Sequence, residues 1–139
     1  MFTKSCQYAI RAVIFLAENQ ASDKNTGVKE IADALHVPQQ FLAKILQQLS
    51  RHNLISSVKG PNGGFYLGED NAEVTLLDIV ECMDGKSTLS TCILGLPNCT
   101  NEHPCPLHHH FYGSREGLKA TLSSCVVGAL VNGQVLSAK

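Results

Sequence analysis

Three cysteines and a histidine crowd the segment CILGLPNCTNEHPCPLH, residues 92–108, at the spacing C-x6-C-x5-C-x2-H. Thiolate sulfur and imidazole nitrogen are donors that suit zinc and iron–sulfur clusters, whereas magnesium and calcium favour oxygen. The segment therefore reads as a metal or iron–sulfur site. Pro104 and Pro106 flank Cys105, and Gly95 and Pro97 lie between Cys92 and Cys99. Such a stretch bends as a loop rather than continuing as helix or strand, and a bent loop can wrap an inorganic core. A Cys105–His108 nucleophile pair would be the enzymatic alternative. Nothing in the chain supplies an oxyanion hole or a substrate-pocket signature, so catalysis is not expected.

A chain of 139 residues is one modest domain, or a small domain with an extension used for association. It has no apolar run of the roughly 20 residues needed to span a bilayer. The start MFTKSCQYAIRAVIFLAENQ is amphipathic with Arg11 inside it, unlike a signal peptide. A cytoplasmic protein with no membrane partner is expected, and in a reducing compartment its six cysteines are thiols or ligands rather than disulfides. Cys6, Cys82 and Cys125 stand alone and read as small buried hydrophobes. The net charge of −1 conceals a segregation: residues 1–60 carry seven Lys/Arg against four Asp/Glu, whereas residues 69–102 carry seven acids and one Lys. The basic end is the candidate nucleic-acid face.

The elements that must position the loop follow from periodicity. Tyr8, Ala12, Phe15 and Leu16 form one apolar helical stripe over residues 5–19, with Ser5 as its cap. A polar loop, NQASDKNTG, leads to a short helix that begins at Thr26 or Gly27 and aligns Ile31 with Leu35. After the break HVP, with Pro38 at a helix start, QQFLAKILQQLSR buries Phe41, Leu42, Ile45, Leu46 and Leu49 and exposes Gln39, Gln40 and Lys44. Two helices joined so tightly read as helix-turn-helix.

LISSVKGPNGGFYL then reads as a hairpin, with Gly63 and Gly64 supplying positive backbone angles at the turn. A hairpin directly after a helix-turn-helix is a wing. Its tip, Lys59, Pro61 and Asn62, together with Gln39, Gln40 and Lys44, forms the expected surface for double-stranded DNA. Thr75 with Asp78 marks a capped helix running to about Met83. Beyond the cysteine loop, Leu107, Phe111, Leu118, Leu122, Val126 and Ala129 recur at helical spacing. That run is too long and too apolar for so small a domain, so Phe111, Leu118, Leu122 and Val126 are expected to face a second copy, with Gly113 and Gly117 permitting close approach.

These residues together resemble the bacterial winged-helix iron–sulfur regulators of the IscR/NsrR type, the Rrf-two superfamily, over nearly the whole chain. SCQYAIRAVIFLA, VKEIADALHVPQQFLAKILQQL, LISSVKGPNGGFYLG and the three cysteines with CPLH carry the likeness. The resemblance implies a mainly helical fold with a small β-hairpin wing and a long C-terminal dimerisation helix. It implies a winged DNA-binding domain over 1–84, a cluster loop over 85–107 and a dimerisation helix and tail over 108–139. It also implies a homodimer on a pseudo-palindromic operator, with a cluster modulating operator binding.

In that frame Cys92, Cys99, Cys105 and His108 would hold a 2Fe–2S cluster, with 4Fe–4S as the other nuclearity, while His103, His109 and His110 are neighbours. Six residues separate Cys92 from Cys99 where the IscR pattern has five. Gln7 stands where NsrR-like proteins offer an acidic ligand from the partner subunit, which favours His108 as fourth ligand. Lys59 stands where arginine is common, replacing a bidentate fork by a point charge. A structural zinc, or a metal-free thiol or ligand sensor on the same winged scaffold, is the alternative.

Overall fold

The computed structural model describes residues 2–19 and 25–130, so Met1, part of the NQASDKNTG loop and the expected C-terminal tail from residue 131 lie outside the described residues. Among the described residues, five α-helices and one hairpin follow in order: α1 (Lys4–Glu18), α2 (Val28–Leu35), α3 (Gln39–Arg51), β1 (Ser56–Val58), β2 (Gly64–Tyr66), α4 (Leu76–Asp84) and α5 (His108–Ser124). The mainly helical fold with a small hairpin wing is thus as expected.

α1 is the central post. Ala9, Ala12, Val13, Leu16 and Ala17 are buried along it and meet Ile31 and Leu35 of α2, Leu42, Ile45, Leu46 and Leu49 of α3, and Ile79 of α4. Fully burying each Leu or Ile stabilises by about 1.5–3 kcal/mol, so this cluster is what fixes the helix-turn-helix. The cap of α1 is Thr3 rather than Ser5: the Thr3 hydroxyl accepts from the Cys6 N–H at 3.1 Å and donates to Asp84 at 2.5 Å. One side chain thereby joins the start of α1 to the end of α4. Phe41, expected in the core, is 39% exposed because it lies at the rim of α3, edge-on to Tyr8 at 5.6 Å. The sharp α2–α3 turn puts His36 in the left-handed region, with φ 56°, and tucks Val37 into the core.

In the hairpin Ser56 pairs with Tyr66, Ser57 with Phe65 and Val58 with Gly64. Thr26 adds a bridge to Phe65, with both N–H···O distances 2.8 Å, which ties the wing to the entry of α2. The expected role of Gly63 and Gly64 is corrected here. The positive φ belongs to Gly60, at 110°. Gly63 and Gly64 are needed for space, because a Cβ on Gly63 would stand 2.1 Å from the Val58 oxygen and one on Gly64 2.5 Å from the Thr26 oxygen.

α4 starts on the expected reciprocal cap: the Thr75 N–H donates to Asp78 at 2.9 Å and the Asp78 N–H to the Thr75 hydroxyl at 3.2 Å. α5 packs back on α4. Leu122, 5% exposed, and half-buried Leu118 join Cys6, Val80 and Leu89 in a second small core, so these two leucines are largely covered by their own chain rather than left bare. The helix also stops earlier than its periodicity suggested. After Ser124 the chain turns, the Leu76 N–H donates to the Cys125 oxygen at 3.0 Å and the Val127 N–H to the Val74 oxygen at 2.9 Å. Val126 therefore sits in a strap bridged to Thr75 rather than on α5, and Phe111, 38% exposed, remains open on the helix.

Candidate metal centre and nucleic-acid interface

Residues 85–107 form no helix or strand; single turns fold them, such as the Gly95 N–H to the Cys92 oxygen at 2.9 Å and the His108 N–H to the Cys105 oxygen at 3.1 Å. Three anchors tie this loop to the helices. Leu89 is buried against Val80 and Leu122. Arg115 of α5 donates to the Thr91 oxygen at 2.6 Å, and Lys119 to the Ser90 hydroxyl at 3.2 Å.

Held this way, the loop brings the Sγ atoms of Cys92, Cys99 and Cys105 within 4.8 Å of one another. Cys92 and Cys105 are 3.5 Å apart, and the His108 Nδ1 atom is 3.3 Å from the Cys99 sulfur. His108 is 6% exposed although it opens α5. Its ring stacks on Tyr112 at 5.5 Å and 25°, and its Nε2 lies 2.8 Å from the Asn101 Oδ1. A cavity of about 200 Å³ adjoins the group, lined by Cys92, Cys99, Asn101, His108, Tyr112 and Arg115.

Backbone N–H groups already point at two of the sulfurs. The Leu94 N–H lies 3.4 Å from Cys92 and the Cys105 N–H 3.4 Å from Cys99. The N–H groups of Leu96 and Leu94, aided by the neighbouring thiols, hold the Cys92 thiol down at about 7, so it is substantially thiolate near neutrality. At Cys99 the Cys105 N–H also favours the thiolate, but burial and the adjacent Cys105 and Cys92 sulfurs outweigh it and push the thiol up. Three sulfurs and one nitrogen suit a tetrahedral soft-metal or cluster iron environment, and the donor set fits such a group.

Cys6 and Cys82 behave otherwise. Burial and the Asp84 carboxylate push Cys6 up to about 12, and burial raises Cys82, as expected for packing thiols. His103, His109 and His110 are exposed; His109 touches the centre only through an edge contact to the His108 ring at 5.1 Å. Gln7 is exposed and donates to the Phe2 oxygen at 3.0 Å.

Gln39, Gln40 and Lys44 are exposed on the first turns of α3, and Lys59, Pro61 and Asn62 are exposed at the wing tip. A hollow of about 660 Å³ between α3 and the wing is lined by Gln47, Arg51 and Lys59 among others. The wing is held at its base by a residue that periodicity did not single out. Buried Asn71 accepts from the Ser56 hydroxyl at 2.8 Å and the Gly68 N–H at 3.0 Å, and donates to the Asn53 oxygen at 2.9 Å. Periodicity and spacing single out none of Asn71, Asn101, Tyr112 and Arg115, since each acts through a partner distant in the fold or through geometry that spacing does not encode.

No helix among the described residues is long and apolar enough to cross a membrane. The chain is 31% identical over 134 residues to a protein of Aquifex aeolicus named for an HTH-type transcriptional regulator, covering 95% of this chain and 92% of that one. It is 26% identical to the HTH-type transcriptional regulator IscR of Klebsiella pneumoniae, over 95% of this chain and 80% of that protein. Among solved structures, CymR, the global cysteine regulator of B. subtilis, superposes with a TM-score of 0.76 at 21% identity, covering 94% of this chain and 95% of that one. IscR of T. potens superposes with a TM-score of 0.70 at 17% identity, over 91% and 82% of the two chains. The family model Rrf2, iron-dependent transcriptional regulator, matches residues 2–133, and the chain belongs to that family of transcriptional regulators rather than to any enzyme family.

Proposed function

We propose that this regulator binds operator DNA as a homodimer and that an iron–sulfur cluster on Cys92, Cys99, Cys105 and His108 modulates that binding. The observation that carries the reading is the convergence of three sulfurs within 4.8 Å, with an imidazole nitrogen 3.3 Å from one of them. When bound, a cluster supplies a centre that changes charge on reduction and is lost to oxidants or nitric oxide. The chain's own residues would do the rest. Cys92, as thiolate, and the backbone N–H groups at Cys92 and Cys99 stabilise negative sulfur. With His108 in place of a fourth thiolate, a bound cluster would have a higher potential than at an all-cysteine site.

A contact route links the loop to the DNA surface. Leu89 of the loop packs against Val80 of α4, and Gln48 of α3 donates to the Cys82 oxygen of α4 at 3.0 Å. Ordering of the loop thus bears on the helix that presents Gln39, Gln40 and Lys44 to the major groove, where Gln pairs with adenine and Lys with guanine or phosphate. Exposed Phe111 and the open sites of Gly113 and Gly117, with nothing within 4 Å, offer α5 a close helix contact with a second copy.

Anaerobic purification followed by a visible spectrum, iron and sulfide counts and a mobility shift on promoter DNA tests the reading. A coloured dimer with stoichiometric sulfide, whose operator affinity changes when the cluster is removed, supports it. A colourless protein with one tightly held zinc assigns the same four residues to a structural clip. The 3.5 Å Cys92–Cys105 pair gives a second reading, a metal-free thiol sensor, which would show reversible oxidation and no metal in the same preparation.

A further inference from the structure

We infer that Asn101 is a positioning residue that locks His108 in the tautomer whose bare Nδ1 faces the sulfurs. This rests on the reading of the loop as a metal or cluster centre and goes beyond it by naming the donor atom and what selects it. An imidazole has two nitrogens and, when neutral, one proton; only the nitrogen without the proton can coordinate. The Asn101 Oδ1 lies 2.8 Å from Nε2. An amide oxygen has only lone pairs to offer, so at that distance Nε2 must carry the hydrogen and donate it. Nδ1 is then left with its lone pair, 3.3 Å from the Cys99 sulfur.

The ring cannot easily turn over to exchange the two atoms. Tyr112 is stacked on it one turn along α5, and His108 is buried, with 6% of the residue exposed. Hydrogen bonds of this kind from a ligating imidazole to an acceptor outside the metal's own ligands fix the ring and raise its basicity. Asn101 can do so because the two-residue step from Cys99 and the Thr100–His103 turn bring its side chain back over α5: the Thr100 N–H donates to the His103 oxygen at 3.3 Å, and the His103 N–H to the Thr100 hydroxyl at 3.0 Å. The backbone around Asn101 is therefore closed independently of its side chain, and removing that side chain should leave the turn standing.

The test begins on metal-free, reduced protein labelled with 15N-histidine, with the His108 signals assigned by comparison with His108→Ala. Long-range proton–nitrogen correlation should show His108 protonated at Nε2 alone in the natural protein. Asn101→Ala should shift His108 to a mixture of tautomers, and Asn101→Asp, which keeps an acceptor oxygen, should restore the single tautomer. Co2+ titration of the same proteins, read by its visible bands, should show Asn101→Ala binding about 10-fold to 100-fold more weakly, with Asn101→Asp close to the natural protein. After cluster reconstitution, Asn101→Ala should have the higher reduction potential and Asn101→Asp the lower. Unchanged tautomer, Co2+ affinity and potential in Asn101→Ala would overturn the inference. If the natural protein took up neither Co2+ nor cluster, the metal reading would fall, while the nitrogen spectra of the apo forms would still decide whether Asn101 sets the His108 proton.

Discussion

The wing and the cysteine loop both leave the helical core as irregular excursions, and they are fixed by different means. In the wing, backbone pairs with backbone through three residue pairs and the Thr26–Phe65 bridge, and buried Asn71 closes its base. In the cysteine loop, single turns and side chains from α5 hold the first part, at Ser90 and Thr91, while the middle converges on sulfur. Ile93, Leu94 and Leu96 are 48–56% exposed there, so apolar burial contributes little order to that middle. The wing is thus complete without a ligand. The loop's middle instead brings three sulfurs within 4.8 Å, a donor set that suits a soft cation or cluster.

The sharpest break in the comparison comes from the seam that supports the loop. Leu122→Asp buries a carboxylate beside Cys6, Val80 and Leu89 and should cost about 3–5 kcal/mol in urea unfolding. Phe111→Asp, on the exposed side of the same helix, should leave stability within about 0.5 kcal/mol and weaken the proposed dimer in light scattering. Equal losses for the two would mean that α5 is not sided as described.

Cys99→Ser strikes the centre of the loop. It should abolish visible absorption yet preserve helical circular dichroism, because the α1–α4 core does not include Cys99. Operator affinity should shift about 5-fold to 150-fold, the range of a typical coupling of 1–3 kcal/mol. Asn71→Ala, at the base of the wing, should cost about 1–3 kcal/mol through buried polar groups left unpaired. It should lower DNA affinity without touching metal content, which separates the two regions directly.

The thiol chemistry offers a finer test. The Cys92 thiol is lowered to about 7 by the Leu96 and Leu94 N–H groups, so its thiolate is lost as pH falls through that value and is nearly complete by about pH 8. Iodoacetamide labelling of the metal-free protein, followed by mass spectrometry, should show the Cys92 rate levelling there while half-buried Cys82, raised by burial, is still climbing. The smallest expected effect is on the wing tip. Lys59→Ala should reduce affinity similarly on operator and random DNA and flatten the log–log salt dependence by about one unit. No change in slope would remove Lys59 from the phosphate contacts.

Sequence alone determined the winged helix-turn-helix, because its apolar positions repeat at helical spacing and its turn and cap residues are local: Gly27 before α2, Pro38 before α3 and the Thr75–Asp78 pair before α4 all act within four residues. The cysteine spacing and CPLH likewise marked the candidate centre, since three soft donors and an imidazole within 17 residues can be counted without a fold. Tertiary structure decided the rest. Periodicity placed Leu118 and Leu122 on an apolar stripe but could not say which surface the stripe meets, and α4 with Leu89 takes it. The end of α5 at Ser124 follows from strap hydrogen bonds to Val74 and Leu76, some fifty residues earlier in the chain. Gly63 and Gly64 carry no sign of the carbonyls that crowd them, and nothing local in Asn71 or Asn101 reveals the wing base or the imidazole they hold. Those roles depend on atoms brought together by folding, which a one-dimensional pattern does not contain.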